Sequence, residues 1–145
     1  MVYLFWSILG YLAMVGGIFG LIFNGMLFTS FVPTIALQTI AASLMLWARL
    51  VLGKRSFHLS ASPAAGQLVT SGPYKFVRHP IYSAVCLFVW AAVPAYPTGQ
   101  AVLFSATCTA GALLRLFCEE RLLRRRYPEY NAYCHRTKRL IPFMF

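Results

Sequence analysis

The chain holds three acidic residues, Glu119, Glu120 and Glu129, against 13 Lys and Arg, so chemistry that needs a carboxylate has few places to be. Two of the three are adjacent. Glu119 stands four residues after Arg115, which is embedded in the apolar run Leu113-Leu114-Arg115-Leu116-Phe117. That spacing puts both side chains on one face of a helix, where they can pair. An Arg among apolar neighbours is costly unless it pairs, lines a wet cavity or snorkels to an interface. Two readings stand. Arg115 is an interfacial anchor with Glu119 as its helix neighbour, or the pair faces a cavity in which Glu119 holds a cationic group and Arg115 an anionic one.

The second dense stretch is Leu68 to Tyr82, reading Leu-Val-Thr-Ser-Gly-Pro-Tyr-Lys-Phe-Val-Arg-His-Pro-Ile-Tyr. Gly72-Pro73 makes a turn, and His79-Pro80 starts a helix with Pro in its first turn. Backbone groups freed by such a turn can grip a small polar ligand near a helix N-terminus. His79 reads either as an interfacial structural histidine or as a base. Three scattered histidines with no carboxylate or thiol at ligand spacing give no support to a metal site.

The elements that must position these residues are membrane helices. The first 48 residues carry no charged side chain, and the first charge is Arg49. A helix of that length would reach roughly 70 Å, enough to cross a hydrocarbon layer of about 30 Å twice. A first segment over about Val2–Phe23 ends at the turn signal Asn24-Gly25, and a second covers about Phe31–Leu52 with Pro33 near its start. Gly16 and Gly20 form a GxxxG spacing expected to pack closely on another helix. Residues 80–114 form a further uncharged run, cut by Pro94-Ala-Tyr-Pro97-Thr-Gly99 into Ile81–Val93 and Gln100–Leu114. Each half is shorter than the roughly 20 residues a full span wants. Either the halves extend into their flanks or they form a shielded hairpin, which would itself point to a site. The tail from Leu113 to about Thr137 reads helical, with pairs Arg115/Glu119 and Glu120/Arg124 and a break at Tyr127-Pro128.

Composition agrees: 59% of residues are hydrophobic and 11% charged. The length allows one domain, 1–145, with two spans in residues 1–52. The net charge of +10 is not a nucleic-acid footprint, because every Lys and Arg lies at or after Arg49 in two clusters flanking apolar segments. That is the positive-inside pattern, with anionic lipid headgroups as natural partners. It places both termini and the Lys54–Arg78 loop in the cytosol. The loops Asn24–Ser30 and Pro94–Gly99 lie outside. The start does not read as a cleaved signal peptide. Cys86, Cys108, Cys118 and Cys134 show no CxxC spacing and read as reduced structural thiols. The expected fold is all-α and integral to the membrane, with about four transmembrane helices and a C-terminal cytosolic helical tail.

Gly72-Pro73-Tyr74, then Arg78-His79-Pro80-Ile81-Tyr82, then Glu119-Glu120, separated by an apolar hairpin, resemble the isoprenylcysteine carboxyl methyltransferase family. That family sits in a wider set of membrane methyltransferases that includes phospholipid and thiol methyltransferases. The resemblance covers roughly residues 52–145, and Ala84 stands where the family commonly has Gly. It implies an S-adenosyl-L-methionine-dependent transferase whose cofactor site is built from residues 53–145, acting on a lipophilic or prenylated acceptor. Carried over, a strand-like Gln67, Leu68 and Val69 with the ring of Tyr74 would line the cofactor. His79, Pro80, Ile81 and Tyr82 would line it too, Glu119 would bind a polar or cationic part of it, and Arg115 would hold the acceptor.

Methyl transfer from a sulfonium is an in-line displacement, so the protein mainly supplies proximity and alignment. A carboxylate acceptor needs no general base but does need a cation, and Arg suits it. A thiol or amine acceptor would need deprotonation, with His79 as candidate base. Two other classes compete: a nicotinamide-dependent membrane reductase of the sterol type, whose motif is related, and a non-catalytic accessory protein.

Overall fold

The computed structural model describes residues 2–53 and 68–142. Among them the chain forms α1 (Val2–Phe23), α2 (Val32–Leu52), α3 (Pro80–Trp90), α4 (Gly99–Arg126) and α5 (Tyr130–Arg136), with a 3-10 turn at Gly72–Lys75 before α3. The only β pairing in the described residues is an isolated parallel bridge between Val77 and Lys138. Leu68 and Val69 are half-buried and irregular rather than strand-like, and Gln67 lies outside the described residues.

Three helices, α1, α2 and α4, are long and apolar enough to span a bilayer. Of the two short segments expected between residues 80 and 114, only one stayed short. α4 extends through its polar flank to Arg126, giving 28 residues and about 42 Å of helix. α3 stops after 11 residues, about 16 Å. Its C-terminal backbone then winds through turns to Thr98, which caps α4 by accepting from the Ala101 N–H at 3.1 Å. Backbone groups at this depth need partners. Thr34 Oγ1 donates to the Ala91 carbonyl at 2.7 Å and Ser105 Oγ to that of Val89 at 3.1 Å. Gln38 Nε2 donates to the Leu27 carbonyl at 2.7 Å, and the Tyr96 hydroxyl to that of Phe28 at 2.8 Å.

Packing runs α1 on α4, α4 on α3, and α3 on α2. The α1–α4 seam is antiparallel and made of small residues. Ser7, Gly10, Met14, Gly17 and Leu21 repeat at alternating three- and four-residue steps and are buried. A Cβ on Gly111 would stand 2.4 Å from the Gly10 carbonyl oxygen, and one on Gly17 would stand 2.6 Å from that of Phe104. The two backbones therefore touch, as small-residue membrane interfaces allow. This corrects the GxxxG expectation. Gly20 does pack, against the Phe104 ring, but a Cβ on Gly16 would meet nothing within 4 Å. The outer faces of α1 and α2 stay apolar and exposed, Leu12 and Phe19 on α1 and Leu46 and Leu50 on α2, as lipid-facing surfaces should be.

Thr34 meets Ala91 while Gly72 meets Val51, so α2 and α3 also run antiparallel. The uncharged connections, Asn24–Ser30 and Pro94–Thr98, thus gather at one end. Arg49, Arg78 and the arginines of α4 and α5 gather at the other.

Candidate active site

The turn through Arg78–Tyr82 and the stretch Arg115–Glu120 meet at the basic end, where α3 begins beside the last third of α4. Glu119 lies 20 residues after Gly99, about 30 Å along the helix and so near the far edge of a hydrocarbon layer, with Arg115 about one turn inside it. The Pro-interrupted connection at Pro94–Gly99, expected to point to a site, is at the opposite end of the bundle. Its backbone is held by turn bonds, the Ala95 and Tyr96 N–H groups donating to the Ala92 carbonyl at 3.1 Å each and the Thr98 N–H to that of Tyr96 at 2.7 Å.

Pro80 fixes the first turn of α3, with His79 at its N-cap position. That turn aims His79 and Tyr82 at α4. The Tyr82 hydroxyl donates to Glu119 Oε1 at 2.5 Å and accepts from Arg115 Nε at 3.0 Å. Arg115 Nη2 lies 3.7 Å from the same carboxylate oxygen, confirming the one-turn pairing in a looser form than a direct bond. His79 Nδ1 lies 3.7 Å from Glu119 Oε2. The four residues form one continuous chain: Arg115, Tyr82, Glu119, His79. Glu119 is its most open member, with 24% of its side chain exposed against 7% for Arg115 and 4% for His79.

Glu120, one residue on, points about 100° away around the helix and does something else. It is buried and receives Arg78 Nε at 3.0 Å and Arg139 Nε at 3.3 Å, with Arg124 Nη2 at 3.9 Å and His79 Nε2 at 3.6 Å. The Arg78 guanidinium also donates to the carbonyls of Cys134 and Thr137. The backbone N–H groups of Arg78 and His79 donate to the carbonyls of Lys138 and Arg139 at 2.7 and 3.1 Å, and Ser83 Oγ donates to that of Leu140 at 2.6 Å. The segment after α5 is therefore strapped across the turn that carries His79. Sequence reasoning paired Glu120 with Arg124 alone. Its stronger partners, Arg78 and Arg139, are far along the chain, and the one available signal was the shortage of acids against so many arginines.

Tyr74 sits buried in the 3-10 turn, which Gly72 permits with φ 59°. The Tyr133 hydroxyl on α5 donates to the Tyr74 carbonyl at 2.6 Å. Burial, with the Glu119 charge close by, pushes the Tyr74 phenol above its usual range. Burial likewise raises that of Tyr133, so both remain neutral donors. Pro80 is buried and Ile81 half-buried beside them. Of the expected site residues, Tyr82, Arg115 and Glu119 are joined by hydrogen bonds, His79 stands 3.7 Å from Glu119, and Tyr74 lies within electrostatic reach.

The donor set suits a small ligand bearing cationic and hydroxyl groups. Glu119 Oε2 keeps acceptor capacity on a partly open carboxylate. The buried His79 Nε2 has no hydrogen-bond partner, although such an atom normally finds one.

The chain is similar in sequence to known proteins. A 79-residue stretch is 37% identical to the nickel-cobalt-cadmium resistance protein NccN of Alcaligenes xylosoxydans xylosoxydans, covering 52% of this chain and 36% of that protein. The chain thus spans about a third of the length of the curated relative it matches. No solved structure matches. The sequence model of phospholipid methyltransferases matches residues 29–130, a span that holds the Gly72–Lys75 turn, all of α3 and α4, and every member of the bonded chain. The chain therefore belongs to the phospholipid methyltransferase family, a family of membrane methyltransferases related to the isoprenylcysteine carboxyl methyltransferases.

Proposed function

We propose that this protein is an integral-membrane, S-adenosyl-L-methionine-dependent methyltransferase that methylates the carboxylate of an isoprenylcysteine-like acceptor held in the bilayer. The observation that carries this reading is the hydrogen-bonded group Arg115–Tyr82–Glu119, with His79 3.7 Å from Glu119, at the level of the membrane interface. When bound, the cofactor supplies a methyl group on a sulfonium, open to in-line displacement. Glu119 would hold its cationic part, the Tyr74 ring and the His79–Tyr82 turn would line it, and the strapped tail would exclude water. Arg115, one turn deeper, would hold the anionic head of the acceptor. An ionised carboxylate needs no base, which suits a site whose only open acid is Glu119.

A second acceptor, the amine of a phospholipid, is favoured by the family and by one atom. His79, whose buried Nε2 stands 3.6 Å from the Glu120 carboxylate, would take the proton such an amine must lose. Arg115 would then hold the phosphodiester. Calorimetry of the purified protein in nanodiscs with S-adenosylhomocysteine and with a nicotinamide dinucleotide tests the cofactor. Methyl transfer to farnesylated N-acetylcysteine and to phosphatidylethanolamine tests the acceptor. Binding of the nicotinamide alone would replace the reading with a reductase, and binding of neither with an accessory role.

A further inference from the structure

The packed helices stand in an open row, α1–α4–α3–α2, which leaves α2 at an edge. It packs mainly on α3 and the Gly72–Lys75 turn and is the least covered of the three spanning helices. Its free side is patterned. Ile35, Thr39, Ala42 and Leu46 are exposed at steps of four, three and four residues, the spacing of a left-handed helix-pair seam. Bulky residues stand at the ends and small ones in the middle, with Ser43 beside them. They line a groove of about 460 Å³ that Phe28 and Phe88, edge to face at 6.4 Å, close on one flank.

Gln38 lines the same groove and is only 8% exposed. Its Nε2 donates to the Leu27 carbonyl at 2.7 Å, which uses one of its two hydrogens. Among the described residues nothing donates to its Oε1 and nothing accepts the second hydrogen. Gln38 comes six residues after Val32, about 9 Å along the helix. The amide therefore stands at hydrocarbon depth, where lipid tails offer neither donor nor acceptor.

We propose that this face of α2 is an interface between two copies of the chain. Both copies share one orientation in the bilayer, so the two-fold axis is the membrane normal and the two α2 helices pack in parallel. Equal depth then sets the two Gln38 amides face to face, each supplying what the other lacks. Thr39, Ala42 and Ser43 let the backbones approach. The Thr39 and Ser43 hydroxyls already donate to the carbonyls of Ile35 and Thr39 at 2.8 Å each, so the amide is the one polar group of the seam in need of a partner. The interface uses no residue of the site and does not rest on the methyltransferase reading.

The experiment uses the full chain in lipid vesicles. Energy transfer between labelled copies at falling protein-to-lipid ratio reads association, and oxidation with copper phenanthroline reads the register. The parent should associate. Ala42→Cys should yield a disulfide-linked dimer that neither the parent, with its own four cysteines, nor Leu12→Cys on the lipid face of α1 yields. Ala42→Phe should weaken association about five- to a hundredfold, as overpacking at a close seam does, with the melting point of the detergent-isolated monomer unchanged. Gln38→Leu should weaken it about three- to twentyfold, the range for an interhelical hydrogen bond in a membrane. Parental association in Ala42→Phe overturns the inference, as does equal cross-linking at Ala42 and Leu12 or a parent that is monomeric at every ratio. A monomeric parent carrying a lipid that Ala42→Phe displaces, seen by native mass spectrometry, overturns it in favour of a lipid in the groove.

Discussion

Replacing Tyr82 with Phe removes one oxygen and two bonds while leaving the ring that fills the space between α3 and α4. The hydroxyl donates to Glu119 at 2.5 Å and accepts from Arg115 at 3.0 Å. Both partners are charged, which puts each bond in a class worth about 1.5–3 kcal/mol. The full sum is not lost. Arg115 Nη2 and Glu119 Oε1 stand 3.7 Å apart and can close to a direct pair once the hydroxyl is gone. Interhelical hydrogen bonds in membranes average about 0.6 kcal/mol, so a net stability loss of about 1–2 kcal/mol is expected. The larger effect is on where the carboxylate points. Drawn onto Arg115, Glu119 turns from the ligand it would hold, and S-adenosylhomocysteine affinity should fall about tenfold, the loss of about 1.4 kcal/mol. Calorimetry and a melting curve on the detergent-solubilised variant and its parent read both quantities. Parental affinity together with a parental melting point would refute the argument, because the hydroxyl would then be orienting nothing.

The adjacent glutamates should separate cleanly. Glu119→Gln should weaken S-adenosylhomocysteine binding about ten- to a hundredfold with the fold intact. Glu120→Gln should leave the nearly buried Arg78, 8% exposed, without its counter-charge and cost about 3–5 kcal/mol of stability, read as a fall in melting temperature. Gly111→Leu should force α1 from α4, where a Cβ alone would come within 2.4 Å of the Gly10 carbonyl, and cost about 2–3 kcal/mol, measured by thermal unfolding in detergent. For sidedness, cysteines placed at Thr29 and Pro97 should label from outside intact cells and one at Lys75 only after permeabilisation; the opposite pattern would reverse the orientation.

The parts of this architecture that the sequence made legible are those lipid dictates. A bilayer tolerates no charge at depth without a partner, so two uncharged runs and the position of Arg49 marked the helices before any packing was known. The Arg115–Glu119 pair was legible because i,i+4 geometry is local. The seam was not. α1 is apolar all round, so hydropathy says nothing about which face meets α4, and the buried stripe through Gly10 and Gly17 is offset from the more conspicuous Gly16–Gly20 spacing. The unequal fates of α3 and α4 were hidden for a related reason. Both halves of the run after Pro80 are equally apolar, and the difference lies in Thr34, Ser105 and Gln38, which bond the carbonyls of the turns and of the neighbouring loop.

Glu120 was the least legible residue of the site, and its role explains the arrangement of the rest. Its partners Arg78 and Arg139 stand 42 and 19 residues away along the chain, and no local pattern links them. By saturating the buried carboxylate they tie the segment after α5 to the turn before α3, and that turn sets the positions of His79 and Tyr82. Glu119 is left with one close bond, from Tyr82, and an open second oxygen. With so few acids in the chain, the division is economical in physical terms. One carboxylate is buried among cations and fixes the frame, and its neighbour, rotated by a single residue, stays partly solvated and able to exchange partners. On the proposed function, Glu119 must be both oriented and incompletely satisfied. Here the orientation comes from a tyrosine, and the incompleteness from the fact that Arg78, Arg124 and Arg139 are committed to the other glutamate.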